Sequence, residues 1–152
     1  MLDGDYIGAV YPFILYSQER IDYLYDTILK LYLHHSENGF ENFVVNYVFE
    51  SNESLQSLIT RFNGANEKIN CFYLVCSLEE QEKRIENRNR SIKNWELQRV
   101  YELNEILKKA SETGFIGDRI NIEGKSIIES ANIIWKINQI HRNLNNGSNK
   151  IQ

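Results

Sequence analysis

Cys71-Phe-Tyr-Leu-Val-Cys-Ser-Leu-Glu-Glu80 contains the change of period on which the fold turns. From Cys71 to Cys76 every residue is apolar or aromatic, the pattern of a buried strand. Ser77 then opens a charged helix running through Ile85 towards Arg90, as an N-cap candidate with Glu80 three residues later in capping-box position. The same succession stands upstream. Phe43-Val-Val-Asn-Tyr-Val-Phe49 is an almost continuous apolar run, rich in β-branched and aromatic residues, as expected of a strand covered on both faces. A helical pattern follows it over 52–62 through Leu55, Leu58, Ile59 and Phe62, closed by Gly64. Buried strands each followed by a helix predict an α/β domain with a mostly parallel sheet. Ligands of such sheets gather at the carboxyl ends of the strands.

Working outward, Leu2 to Asp5 reads as the end of a short strand entering a loop. Ser17 is the N-cap candidate of an amphipathic helix in which Ile21, Leu24, Tyr25, Ile28, Leu29 and Tyr32 recur at helical spacing until Asn38-Gly39. A longer helix begins near Trp95, with Val100, Leu103, Leu107 and Ala110 on one face and Gly114 after its last turn. Arg119 to Glu123 is a short strand. It leads into a helix whose buried side should carry Ile127, Ile128, Ala131, Ile134 and Trp135. Residues 1–142 are expected to form one α/β domain, with 143–152 as a frayed polar tail.

A length of 152 residues suits one core, and 42% hydrophobic residues can fill it. Seventeen bases against 21 acids give a net charge of −4, which disfavours broad nucleic-acid binding. No apolar stretch approaches the roughly 20 residues of a membrane helix, and the N-terminus lacks the pattern of a signal peptide. Cys71 and Cys76 fall on opposite faces of their strand and cannot easily pair. A reduced, cytoplasmic protein without membrane partners is expected.

Three features could carry chemistry. Asp3-Gly4-Asp5 sets two carboxylates at a strand's carboxyl end around a glycine, able to bind Mg²⁺ through water or to orient a hydroxyl; Asp-Gly is also common turn chemistry. From Lys83 to Arg99 six bases face two acids, a cationic island in an acidic protein. Arg84 and Arg88, four apart, project from one helix face and could clamp a polyphosphate, or simply pair with Glu80 and nearby acids on a solvated helix. Asn46, polar within a buried strand, must find a hydrogen-bond partner, whether structural, a water or a ligand. His34-His35 sits at a helix end, where imidazolium can interact favourably with the carbonyl dipole, His141 has no acid or cysteine at metal-ligand spacing, and none of the three receives a catalytic role. Tyr6, Tyr11 and Tyr16 could line an aromatic acceptor pocket or belong to the core.

In their order these pieces resemble the P-loop small-molecule and nucleotide kinases, the group of adenylylsulfate kinase and chloramphenicol phosphotransferase. Leu2-Asp-Gly-Asp5 looks like the acidic motif beside the acceptor, and Phe43 to Phe49 stands in the place of the Walker B strand. Cys71 to Leu78 with Arg84, Arg88 and Arg90 resembles the strand, helix and arginine-bearing lid. Arg119-Ile-Asn-Ile-Glu-Gly-Lys-Ser126 is similar to the last strand and the loop bordering adenine. The resemblance implies a three-layer P-loop NTPase-like fold and ATP-dependent phosphoryl transfer to a small hydroxyl acceptor or nucleotide. Asp5, Arg84, Arg88 and Arg90 would be catalytic, and Asp3, Asp5 and Tyr6 would contact the acceptor. Arg88, Asn121, Glu123 and Gly124 would contact ATP, and Asp3 and Asn46 would hold Mg²⁺.

Two departures qualify this. Nowhere do the 152 residues contain Gly-x-x-x-x-Gly-Lys-[Ser/Thr], the loop whose amides and lysine cradle the triphosphate. The first strand, phosphate loop and first helix are therefore expected outside this chain, which would be inactive alone. Because that strand is normally central, a sheet edge would stand open, and a homo-oligomer is one way to cover it. The second departure is Asn46, where many relatives have an aspartate, so that metal binding there would be weaker. The alternative is a non-catalytic α/β module that uses the arginine island to hold an anion or an acidic partner.

Overall fold

A computed structural model describes residues 1–10, 14, 17–63, 68–88, 90–114 and 117–148. Gly64, Tyr11 and Tyr16 lie outside the described residues. The chain is mixed α/β and divides into two compact units, Met1–Lys68 and Ile69–Gln152.

The first unit holds β1 (Leu2–Asp3), α1 (Gly4–Ile7), α2 (Gln18–Glu37), β2 (Val45–Asn46) and α3 (Asn52–Phe62). α2 forms where the apolar spacing predicts it. Ser17 Oγ accepts the Arg20 N–H at 3.1 Å at its start, and Gly39 takes a φ of +85° past its end, a conformation glycine adopts without Cβ strain. Leu24, Tyr25 and Ile28 are fully buried against Tyr32, Leu58 and Phe62, each such side chain contributing roughly 1.5–3 kcal/mol of apolar burial. β1 and β2 pair in parallel, Leu2 opposite Val45 and Asp3 opposite Asn46.

The stretch Phe43–Phe49 corrects the two-faced expectation. Phe43, Val45, Tyr47 and Phe49 pack on the core, but Val44 and Val48 are 61% and 47% exposed. With α2 and α3 packed on one side only, the alternation of the strand leaves every second residue outside. Asn46 falls on the open face and is exposed rather than buried.

The second unit holds β3 (Phe72–Val75), α4 (Leu78–Asn87), α5 (Lys93–Glu112), β4 (Asp118–Asn121) and α6 (Ile127–Ser148). β3 and β4 are also parallel, in register from Phe72 opposite Asp118 to Val75 opposite Asn121. The α4–α5 pair is tied by reciprocal amide bonds between Gln81 and Asn104, at 3.3 and 3.0 Å. Ile85 and Ile120 are buried, while Leu74 in β3 is 45% exposed. α6 departs from its predicted burial: Ile127, Ile128 and Trp135 are 89%, 73% and 60% exposed, and Ala131 is exposed too. Its helix also continues to Ser148, past Asn143, where the polar tail was expected to begin. Among the described residues no helix is long and apolar enough to cross a membrane.

Candidate functional site

The predicted site residues fall into three clusters, one in the first unit and two in the second.

In the first, Asp3 ends β1 and caps α1. Its Oδ1 accepts the N–H groups of Asp5 and Tyr6 at 3.0 and 3.4 Å, and its Oδ2 accepts Asn46 Nδ2 at 3.3 Å. What was expected to be a loop is a four-residue helical turn held by this carboxylate. Gly4 is required because Tyr47 lies over it: a Cβ there would come 2.5 Å from Tyr47 Cδ2. Asp5 and Tyr6 point outward, Tyr6 being 84% exposed.

Sequence reasoning missed Arg20 and Tyr47. Burial pushes the Tyr47 hydroxyl above its ordinary range, and the Arg20 guanidinium that bonds it pulls the other way, while Asp5 and Glu50 raise it again. Arg20 Nη2 also reaches the face of Gly8, 3.2 Å from where a Cβ would stand. One signal was available: an arginine in the first turn of a helix opposes the macrodipole, so a tertiary partner is needed to favour it there.

The resemblance implies Mg²⁺ at Asp3 and Asn46. Among the described residues no three His, Cys, Asp or Glu side chains come together as a metal site. A single carboxylate still suits a largely hydrated Mg²⁺, and Asp3 Oδ2, which accepts one bond where Oδ1 accepts two, keeps a lone pair for it.

In the second unit Glu123 binds the start of α4. Its Oε2 accepts the Ser77 N–H at 2.6 Å and its Oε1 accepts the Ser77 hydroxyl at 2.8 Å, and the backbone bond above all holds this carboxyl below its ordinary value. Ser77 caps α4 as predicted, but the return half of the box comes from Glu123 and not Glu80. Glu80 instead holds Arg84 Nε at 2.7 Å, while Arg84 Nη2 donates to the carbonyls of Ile122 and Lys125 at 2.9 and 3.2 Å. Asn121 Oδ1 accepts the Glu123 N–H at 2.8 Å and Gly124 turns at φ +62°. Asn121, Glu123 and Gly124 thus meet in one loop, fastened by Arg84. Behind it Ser126 and Glu129 form a reciprocal capping box at α6, legible as S-x-x-E yet overlooked. A shallow groove of about 480 Å³ runs from Glu123 and Lys125 to Asn132 and Lys136.

The third cluster gathers Arg88 and Arg90 on Glu96 Oε1, at 3.8 and 3.2 Å. Arg84 therefore does not share a clamp with Arg88: each of these three arginines already faces an acid, and Arg84 serves the β4–α6 loop.

No family model, no curated protein and no solved structure matches this chain.

Proposed function

We propose that these residues are the acceptor and lid portions of a P-loop kinase-like domain, a cytoplasmic three-layer α/β enzyme moving the ATP γ-phosphoryl group to a small hydroxyl compound or nucleotide. The sheet arrangement carries this proposal. Each unit holds one parallel strand pair, β1–β2 in the first and β3–β4 in the second, and parallel pairing is what strands of that fold have. In both, polar side chains collect where the strands end, Asp3 and Asn46 in one and Ser77 and Glu123 in the other, as ligand sites do in such folds.

The 152 residues contain no Gly-x-x-x-x-Gly-Lys-[Ser/Thr] motif, so no transfer step is assigned to this chain alone. Asp5, exposed beside the capped turn, orients or deprotonates the acceptor hydroxyl, and Arg20 supplies positive charge at that end. Mg²⁺ would offset phosphate charge, with Asp3 and a water on Asn46 as this chain's contribution. Arg88 and Arg90 neutralise charge on the transferred group, and Arg84 positions the loop next to the nucleotide.

A non-catalytic anion- or partner-binding module is the second reading, favoured by the exposed Ile127, Ile128 and Trp135. The coding sequence upstream of Met1 separates the two. With an in-frame strand and Gly-x-x-x-x-Gly-Lys-[Ser/Thr] loop, the longer product should phosphorylate a hydroxyl acceptor using Mg-ATP, and Asp5→Asn should cost about 10²–10⁴ in kcat. Without that motif the binding module stands.

A further inference from the structure

Glu96 lies in the first turn of α5 with its side chain only 10% exposed. Both Arg88 and Arg90 address the same oxygen, Oε1, while Oε2 is buried with no hydrogen-bond partner among the described residues. Neither guanidinium therefore makes the two-bond fork that gives arginine–carboxylate pairs their strength. Arg88 and Arg90 are also 53% and 58% exposed, so much of each donor plane faces outward. Lys93, one turn away, holds Glu86 at 3.2 Å, and the N-cap residue of α5, Ile92, offers no side-chain hydrogen bond to its first turn. Two guanidinium groups thus share one oxygen of a carboxylate whose other oxygen is poorly satisfied.

We infer that Glu96 is a resident counter-anion: it holds Arg88 and Arg90 in one cluster, and a polyphosphate oxyanion arriving from the open side takes their forks in its place. This rests on the anion-binding lid of the proposal above, and not on phosphoryl transfer. A polyphosphate presents several charged oxygens to the exposed guanidinium edges, whereas Glu96 presents one from the buried side. The carboxylate's charge beside the incoming anion then sets how tightly the anion binds.

The experiment is calorimetric titration of the full 152-residue chain with sodium tripolyphosphate at fixed ionic strength. Glu96→Gln should bind at least about tenfold more tightly than the wild type, a difference of about 1.4 kcal/mol. Glu112→Gln makes the same change in net charge about 24 Å along the same helix and should alter affinity less than about twofold. Adding Arg88→Gln and Arg90→Gln to Glu96→Gln should remove the gain. If Glu96→Gln does not fold, Glu96→Asp, with its carboxylate drawn back from both arginines, should also bind more tightly. Affinity equal to or below wild type in the folded variant, a gain that survives loss of both arginines, or no binding by any form would each overturn the inference. ATP turnover does not enter this titration, so failure here and failure of the kinase assignment are read separately.

Discussion

Both carboxylate oxygens of Glu123 are taken by Ser77, one by its backbone N–H at 2.6 Å and one by its hydroxyl at 2.8 Å. A residue 46 positions away thus completes the cap of α4 and fastens the β4–α6 loop to it. Because the Glu123 carboxyl is held below its ordinary value, its contribution is present above the unfolded carboxylate value and is lost as pH falls through the folded one. The Ser77 amide resonance should titrate with a midpoint below the normal glutamate range, and Glu123→Gln should abolish that titration. A midpoint at or above the normal range would contradict the contact.

Arg61 joins α3 to α2 through Asp22 at 2.5 Å and Asp26 at 3.0 Å, and also bonds the Ser57 carbonyl and hydroxyl. Its guanidinium lies 5.3 Å from the centre of the buried Tyr25 ring. Lysine cannot serve both acids and the carbonyl at once. With allowance for the partial exposure of both acids, Arg61→Lys should destabilise the first unit by about 1–2 kcal/mol in urea unfolding. An unchanged midpoint would mean the network is ornamental.

Two glycines with positive φ should respond very differently to alanine. Gly117 has φ +113°, and a Cβ there would stand 2.3 Å from the Cys71 carbonyl oxygen, where backbone cannot yield. Gly39 has φ +85° and open space around it. Gly39→Ala should cost about 1–2 kcal/mol, the left-handed penalty alone, while Gly117→Ala should cost more than about 3 kcal/mol or prevent folding of the second unit. Similar losses would show that the β4 approach to Cys71 is looser than described.

Ile120 and Ile127 supply a second contrast. Ile120 is 3% exposed and Ile127 is 89% exposed. Ile120→Ala should lose about 2–5 kcal/mol and Ile127→Ala less than about 0.5 kcal/mol. A large loss at Ile127 would show that the start of α6 is covered in solution.

These contrasts mark where the chain is legible from its residues. α2 and α3 could be read because Leu24, Tyr25, Ile28, Leu58 and Phe62 are spaced for one helix face, with Ser17 as the cap of α2. Strand pairing was legible as parallel, but burial was not. Val44 and Val48 look like core residues, and only the packing of α2 and α3 on the other side shows them open. Ile127 and Ile128 misled for the same reason, since an apolar stripe does not state what covers it. Capping at Ser77 was readable, but its partner was not, because Glu80 is local and Glu123 is tertiary. Arg20 escaped because its partner Tyr47 lies far along the chain, just after β2. Glu96 was counted only as a charge, though its burial makes it the centre of the arginine cluster.

The most direct measurement is Mg-ATP-dependent phosphorylation of small hydroxyl compounds by the purified 152-residue chain, compared with the chain preceded by a strand, a Gly-x-x-x-x-Gly-Lys-[Ser/Thr] loop and a helix. Activity should appear only in the longer form and depend on Asp5 and the lid arginines. Turnover by the 152 residues alone, or none by either form, would contradict the proposed division of labour.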